Sequence, residues 1–385
     1  MRVVIARMMP EPSMDVYADG IISGLRSVRP DWEIIDLKPH PFNRKSRSVF
    51  LRVRKSYERF WRFPQQVTQQ VADIFHIIDP SEAHITYWLK KKNKPVVVTC
   101  HDLVNFYYKD NLQGSVELPF LSRSMWHHAV KGMKYADHIV AVSSMTAKDT
   151  TQLLDIEPVR ISVIPNAVEP AFQPLPKEQT ESFRKKYGLA PETICLLNVG
   201  ANHPRKNISI ILKVIDTLKQ EGRSFYFWKV GVDFTDEQKA FIQTQGLENY
   251  VSYLGKPDKS TLIQIYNAAD ILIAPSLHEG FGITLLEAMA CGIPVITSNV
   301  SAMPEVVGDA GILVEPNDYQ AIADSVCRLQ SDPIYYQELV KRGLARAKLF
   351  TWEKTGEKIA QIYEKLVRQN EFKGSAKNLD LAPIK

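Results

Sequence analysis

Two glutamates, Glu279 and Glu287, stand eight positions apart in the stretch SLHEGFGITLLEAMACGIPV, around a Gly-Phe-Gly turn. The glycines let the backbone approach a ligand closely. ITLLEAMA, which follows them, starts a helix whose free N–H groups would face the ligand. Over eight helical residues the two carboxylates would lie about 12 Å apart along the axis, which is too far for an acid/base dyad. The spacing therefore predicts two carboxylates that hold hydroxyl groups on different parts of one extended ligand.

A second candidate is the loop ANHPRKN, which follows the apolar run ICLLNVG. Gly200 ends that run, and Arg205 and Lys206 come just before the helix-period segment ISIILKVIDTL. Two adjacent cations at a helix N-terminus suit a phosphate-bearing ligand. The alternative is a solvated basic turn, because such turns are common on protein surfaces.

A third candidate is His101, which follows the apolar run VVVTC and precedes Asp102. A histidine at a strand end serves either catalysis or structure, and position alone leaves both open. The sequence has no G-x-G-x-x-G after its first strand, and no Walker, G-x-S-x-G or H-E-x-x-H motif. No D-x-D pair follows an apolar strand, so the sequence predicts neither a metal ion nor a cofactor.

Short apolar runs alternate with helix-period segments, which predicts an α/β fold with parallel sheets built from βαβ units. The proline-rich stretch 166–180 is typical of a linker between two doubly wound domains. Ligands of such sheets bind beyond the carboxyl ends of the strands, so the three candidate sites would share one cleft. Twelve strands are predicted, at residues 2–6, 32–37, 74–78, 96–100, 138–143, 161–165, 194–200, 225–231, 251–255, 271–276, 294–299 and 311–316.

Charge is concentrated in one segment. The net charge of +5, from 48 basic and 43 acidic residues, is too small to indicate nucleic-acid binding. Residues 41–63, however, hold eight Lys/Arg and six aromatic residues against the single Glu58, and KKKNK follows at 90–94. The segment would either touch anionic lipid as an amphipathic surface or pack its aromatics into the core. Without an apolar run of 18 residues, we expect a cytoplasmic protein, peripheral at the inner face of the membrane.

Five motifs follow one another in the second half of the chain: PRKN (204–207), YLGK (253–256), APSLHEGFGITLLEAMACGIPVITSN (274–299), MPEVVGDAGILVEPND (303–318) and FTWEKTGEKIAQIY (350–363). In this order they resemble the family-4 glycosyltransferases. These are retaining enzymes of the GT-B fold that transfer a sugar from a nucleotide donor. The resemblance is dense over residues 194–363 and thinner before them. It implies two facing Rossmann-like domains with a cleft between them. We place the acceptor-side domain at 1–170, the donor domain at 171–349, a C-terminal helix at 350–369 that packs back on the first domain, and a flexible tail at 370–385.

The resemblance also implies roles. Arg205 and Lys206 would hold the donor diphosphate, Glu279 the hydroxyls of the donor sugar and Glu287 those of the ribose, with His101 near the reacting carbon. The catalytic set would be His101, Arg205, Lys206 and Glu279. The donor-binding set would be Gly200, Arg205, Lys206, Lys256, Pro257, Glu279, Gly280, Phe281, Gly282, Ile283, Thr284 and Glu287. The glycine-rich loop that this family often has after its first strand is absent, since no glycine precedes Gly20.

The implied activity is retaining, metal-independent transfer of a hexose to a saccharide or lipid-linked saccharide in polysaccharide or glycolipid biosynthesis. From family frequency, UDP-glucose is the first donor candidate, ahead of GDP-mannose and UDP-N-acetylglucosamine. Two alternatives remain at this point, a nucleotide-sugar 2-epimerase of the same architecture and a non-catalytic sugar-nucleotide binding protein. The combination of PRKN with the two spaced glutamates argues against both.

Overall fold

The computed structural model describes residues 1–8, 12–41, 49–109 and 120–379. Within these ranges all twelve predicted strands are confirmed, with ends that differ by at most two residues. Three predictions ran too far, into Pro165, Pro275 and Pro316, because a proline has no N–H to continue the ladder. The strands are β1 (Arg2–Ala6), β2 (Glu33–Leu37), β3 (Ile74–Ile77), β4 (Val96–Cys100), β5 (His138–Ala141), β6 (Ile161–Val163), β7 (Ile194–Gly200), β8 (Phe225–Gly231), β9 (Val251–Tyr253), β10 (Ile271–Ala274), β11 (Val295–Ser298) and β12 (Ile312–Val314).

Fifteen α-helices connect and flank these strands within the same ranges. They are α1 (Pro12–Val28), α2 (Val49–Tyr57), α3 (Phe63–Gln69), α4 (Ile85–Leu89), α5 (Phe120–Lys131), α6 (Ser144–Leu154), α7 (Lys177–Lys186), α8 (Ile208–Gln220), α9 (Asp236–Thr244), α10 (Lys259–Ala268), α11 (Ile283–Ala290), α12 (Met303–Val307), α13 (Tyr319–Ser331), α14 (Pro333–Ala347) and α15 (Trp352–Leu379). A π-helical turn, Glu58–Arg62, joins α2 to α3.

The chain divides into two compact units. The first contains Met1–Leu103, Leu118–Asn166 and Trp352–Lys385, and the second contains Val104–Glu117 and Ala167–Thr351. The sheet of the first unit has the order β2-β1-β3-β4-β5-β6 with every neighbouring pair parallel. Because crossovers between parallel strands are right-handed, the reversal of order at β1 places helices on both faces.

The sheet of the second unit has the order β12-β11-β10-β7-β8-β9 and is also parallel throughout. Strand order reverses between β7 and β10, so consecutive connections leave this point in opposite directions. A crevice therefore opens beyond the carboxyl ends of these two strands, where doubly wound sheets bind ligands. The loops that follow β7 and β10 are those that carry PRKN and HEGFG.

The last helix belongs to the first unit and packs against α1. A Cβ on Gly24 would lie 2.0 Å from the carbonyl oxygen of Trp352, so the two backbones touch because this position is glycine. Arg29 pairs with Glu357 and Glu364, each at 2.8 Å. These contacts dock α15 on α1 within one unit.

The predicted helix end at residue 369 is wrong, because α15 continues to Leu379. Residues 370–379 lack an apolar period, which was the basis for predicting a loose tail. Periodicity reports burial rather than helix formation, and Glu, Lys, Ala and Leu in this segment are good helix formers. The part of the tail after residue 379 lies outside the described residues.

Candidate functional site

The loop after β7 places two cations beside the end of that strand. Gly200 has φ +139°, and a Cβ there would lie 3.8 Å from Nζ of Lys206. Arg205 and Lys206 follow in a 3-10 turn, which ends at Asn207 in the left-handed conformation. The Asn207 amide donates to the carbonyl oxygens of Pro316 at 2.7 Å and Pro275 at 3.2 Å. This side chain ties the basic turn to the loops after β12 and β10, and α8 begins directly behind it.

Glu279, in the loop after β10, is the ion-pair partner of both cations. Its Oε2 lies 2.6 Å from a guanidinium nitrogen of Arg205, and its Oε1 lies 2.5 Å from Nζ of Lys206. The Ser276 hydroxyl donates to Oε1 at 2.8 Å. Burial alone would raise the pKa of Glu279, but the charges of Lys206 and Arg205 outweigh it and lower the pKa to about 2. The carboxylate is therefore ionised throughout the physiological range.

The Gly-Phe-Gly turn lies between this carboxylate and α11. Gly282 has φ +96° and caps the helix, a conformation that strains residues with a side chain. Phe281 is buried, with its ring centroid 6.0 Å from that of Phe350. The hydroxyl of Ser301 accepts from the N–H of Glu279 at 3.1 Å and donates to its carbonyl oxygen at 2.8 Å. Contacts with Phe350 and Ser301 therefore hold this loop in place without a ligand.

Glu287 is half-buried on α11 and has a partner of its own. The hydroxyl of Tyr266, on α10, donates to its Oε2 at 2.6 Å. Burial, with a smaller contribution from Glu169, raises the pKa of Glu287 to about 7. The two glutamates of the opening stretch therefore differ in charge behaviour as well as in partners.

One pocket of the second unit gathers part of the predicted donor set. Its lining includes the predicted Lys206, Glu279, Gly282 and Thr284, with Asn198, Ser276 and Thr297 beside them. Ile283 is the first residue of α11, next to this lining. Lys256 and Pro257 follow β9, the edge strand two positions from β7, and do not line the pocket. The pocket lies at the β7/β10 crevice.

His101 lies in the first unit, at the carboxyl end of β4. Its Nε2 is 2.9 Å from the carbonyl oxygen of Ile78. A carbonyl only accepts, so Nε2 carries the proton and Nδ1 is the acceptor in the neutral ring. The ring of Tyr17 meets the imidazole edge-on, with centroids 4.4 Å apart. Burial lowers the pKa of His101 despite the opposing charge of Asp79, which favours the neutral form.

Three side chains around the basic turn were missed by the sequence prediction. Ser276 and Ser301 contact Glu279, but a serine in a loop carries no distinguishing pattern. Lys229 is different, since it is the one charged residue in the strand FYFWKVG. It is fully buried, and its ammonium donates to the carbonyl oxygens of Gly200 and Val230, each at 2.9 Å. A lone lysine inside an apolar strand was the available signal.

Comparison with known proteins places both units in described families. Residues 179–346 match the family described as Glycosyl transferases group 1, and residues 21–172 match Glycosyltransferase Family 4. The chain is 30% identical over 293 residues to the O-antigen chain mannosyltransferase B of Escherichia coli, with 73% of each protein covered. It is 28% identical to the serotype-specific mannosyltransferase WbdA of Escherichia coli, over 78% of this chain and 37% of that protein.

The fold has solved counterparts. Sucrose-phosphate synthase from Thermosynechococcus elongatus has a TM-score of 0.76 with this chain at 18% identity, over 96% of this chain and 99% of the other. At this identity the likeness shows the fold alone.

Proposed function

Because the chain belongs to the family-4 glycosyltransferases of the GT-B fold, as its sequence motifs predicted, we propose that it transfers a hexose from a nucleotide-sugar to a saccharide hydroxyl. The observation that carries the proposal is the placement of Arg205 and Lys206 around Glu279 at the β7/β10 crevice. Two cations beside a helix N-terminus match a diphosphate. A carboxylate within their reach matches the sugar attached to it.

In the proposed complex the diphosphate competes with Glu279 for the two cations. As Arg205 and Lys206 turn to phosphate, the carboxylate oxygens become acceptors for hydroxyls of the donor sugar. In the free protein the charges of Lys206 and Arg205 outweigh burial and hold the pKa of Glu279 at about 2, so the carboxylate is ionised when the donor arrives. The backbone of Gly280–Gly282 lines the junction of sugar and phosphate, and Lys256 and Pro257 are proposed to lie near the base.

Glu287 is proposed to accept from the ribose hydroxyls. Its Tyr266 partner occupies one oxygen at 2.6 Å and leaves the other for the ligand. Two donors to the carboxylate favour its ionised form, so ligand binding would lower its pKa from about 7. His101 is proposed to face the reacting carbon with Nδ1 as an acceptor.

The chemistry breaks the bond between the anomeric carbon and an oxygen of the β-phosphate. Negative charge grows on that oxygen, where Arg205 and Lys206 stabilise it, so the proposed reaction needs no divalent ion. We propose retention by attack of the acceptor hydroxyl on the face that the diphosphate leaves, with the hydroxyl proton passing to the departing diphosphate.

The donor is proposed from the relatives. Their mannosyltransferase names favour a mannosyl donor, GDP-mannose, over the UDP-glucose expected from family frequency. The acceptor is proposed to be a growing saccharide, free or lipid-linked, in polysaccharide or glycolipid biosynthesis. No observation favours an epimerase or a non-catalytic binding protein.

A thermal-shift screen tests the proposal. UDP, GDP, UDP-glucose, GDP-mannose and UDP-N-acetylglucosamine are each added at increasing concentration, with AMP as the control. A ligand at one hundred times its Kd adds about 2.7 kcal/mol to the free energy of unfolding, which raises Tm by roughly 5–10 °C for a unit of this size. We expect one base to be preferred and GDP-mannose to give the largest shift. No shift with any of the five would overturn the proposed function.

We further propose contact with an anionic membrane through α2 and the π-helical turn. Part of the basic segment, residues 42–48, lies outside the described residues. In the remainder, Phe50, Val53, Tyr57 and Trp61 recur at helical spacing and are 55–72% exposed, whereas Phe63 is buried in the core. The sequence left open whether these aromatic residues touch lipid or pack into the core. Phe63 packs into the core, whereas Phe50, Tyr57 and Trp61 are exposed and available to lipid. Among the described residues, no helix combines the length and the apolar composition that crossing a bilayer requires.

Vesicle flotation tests this contact. Binding to vesicles that contain phosphatidylserine is expected to weaken by about 100-fold when Arg52, Arg54 and Lys55 are replaced by serine, since each basic residue contributes about 1 kcal/mol. The matched control replaces Lys177, Lys185 and Lys186, three exposed lysines of α7, by serine. Absence of wild-type flotation, or equal loss in both variants, would contradict the proposed surface.

A further inference from the structure

Lys229 is a buried cation next to the basic turn of the donor site. It lies on β8 with none of its surface exposed. Its ammonium donates to the carbonyl oxygen of Gly200, the residue whose Cα faces Lys206, and to that of Val230. A lysine is rarely found fully buried without a carboxylate partner, because removing the charge from water costs several kcal/mol.

The charged groups that act on Lys229 come from two loops. Lys206, after β7, repels it, and Asp233, after β8, attracts it. Asp233 is itself paired with Lys239 at 2.6 Å. On β9, Tyr253 is the register partner of Lys229, and its hydroxyl donates to the carbonyl oxygen of Gly231 at 2.8 Å. Asp233 is thus shared with another cation.

Three cations gather at the basic turn. Arg205, Lys206 and Lys229 carry three positive charges, and Glu279 pairs with the first two. A nucleoside diphosphate brings two to three negative charges. Bound at the basic turn, these charges would stabilise the buried ammonium of Lys229.

We propose that Lys229 is a positioning residue for the donor, which holds the Gly200 carbonyl and adds its charge to the phosphate site behind Lys206. The proposal rests on the proposed function, because it needs the diphosphate at the basic turn. Lys229 does not touch the ligand. Its hydrogen bond to the Gly200 carbonyl holds the end of β7 in place, and its charge makes the electrostatic potential at the phosphate site more positive.

This role has a pH signature. Burial, and secondly the charge of Lys206, lower the pKa of Lys229 to about 8. Below pH 8 the ammonium is charged before the ligand arrives. Above pH 8 the free protein must take up a proton on binding an anion, so affinity falls by up to tenfold per pH unit. Glu287, with its pKa near 7, titrates below this range.

The experiment measures the Kd of UDP and GDP by calorimetry between pH 7.5 and 9.5. Wild-type affinity for the preferred nucleotide is expected to fall above pH 8. Lys229→Gln keeps a donor for the Gly200 carbonyl but has no charge, and Lys229→Met has neither. Both variants are expected to bind about tenfold more weakly at pH 7.5, equivalent to a one-unit change in pKa on binding, and to lose the dependence on pH above 8.

The possible results separate failure of this inference from failure of the proposed function. A Lys229→Gln variant that binds as tightly as wild type, or keeps its pH dependence, would overturn the inference. If it does so while Lys206→Ala has lost affinity, the proposed function stands and the inference alone fails. If the wild type binds neither nucleotide, both fail. Thermal unfolding of each variant shows that it is folded, and lost affinity with pH dependence retained would mark a purely structural role and refute the proposal.

Discussion

Replacement of Lys206 by alanine is expected to slow hexose transfer by about 10²–10³-fold, the size of effect seen when one preorganised charge-stabilising donor is removed. Its ammonium is 2.5 Å from Glu279 and beside Gly200, so in the proposed complex it faces the oxygen on which charge grows. Since that interaction strengthens in the transition state, kcat should fall more than KM rises. The measurement is initial-rate kinetics of transfer from the preferred nucleotide-sugar.

Lys213→Ala is the matched control, because Lys213 is an exposed lysine on α8, the helix that follows the basic turn. It should leave kcat within twofold of wild type. We also expect equal wild-type rates with and without EDTA, because the cations take the role of a divalent ion. A Lys206→Ala enzyme with unchanged kcat, or a wild type silenced by EDTA, would contradict the assigned role.

Much of the fold could be predicted because parallel strands are buried on both faces. Runs such as ICLLNVG are then continuously apolar, and their number and order along the chain are visible in the sequence. The strand order could not be seen, yet it decides where the site lies. Only the pairing of β10 with β7, through Ile271–Leu196 and Leu272–Leu197, brings HEGFG beside PRKN.

The candidate site could be predicted where chemistry contrasts with its surroundings. Arg205 and Lys206 stand out beside an apolar helix, as do Glu279 and Glu287 in an apolar stretch. The prediction assigned Glu279 to a ligand and did not foresee its ion pairs with both cations. Arg205 and Glu279 are 74 positions apart, and the sequence does not show that residues so far apart along the chain lie close together in space. Tyr266 was missed for the same reason, since its hydroxyl reaches Glu287 from another helix.

The burial of Lys229 could not be predicted from the sequence. A lysine in a strand usually marks an exposed edge, and β8 lies next to the edge strand β9. Its complete burial follows from the tertiary arrangement alone. The aromatic residues of 49–63 make the same point, because Phe50 and Phe63 are alike in sequence but 72% and 1% exposed.

The second large effect is expected from Glu279→Gln, which should separate sugar binding from nucleotide binding. Transfer should fall by about 10²–10³-fold, since the neutral amide is a weaker acceptor for sugar hydroxyls than the carboxylate. Affinity for the nucleoside diphosphate without its sugar should stay the same or rise by up to about tenfold, because the diphosphate no longer competes with a carboxylate. Lys206→Ala weakens both, so the two variants differ in direction on the nucleotide. Calorimetry with UDP and GDP measures this difference.

Stability provides the check that Glu279→Gln has the expected physical cause. The pKa of Glu279 is lowered from 4.5 to about 2, so the carboxylate contributes roughly 3 kcal/mol to the free energy of unfolding above pH 4.5. That contribution is lost as the pH falls from 4.5 towards 2, and the variant should lack it at every pH. The variant should therefore have a lower Tm at pH 7, and the nucleoside diphosphate should raise its Tm more than that of wild type, because phosphate replaces the missing partner of both cations. If nucleotide affinity falls instead, Glu279 serves only to orient Arg205 and Lys206, and its assignment to the donor sugar is wrong.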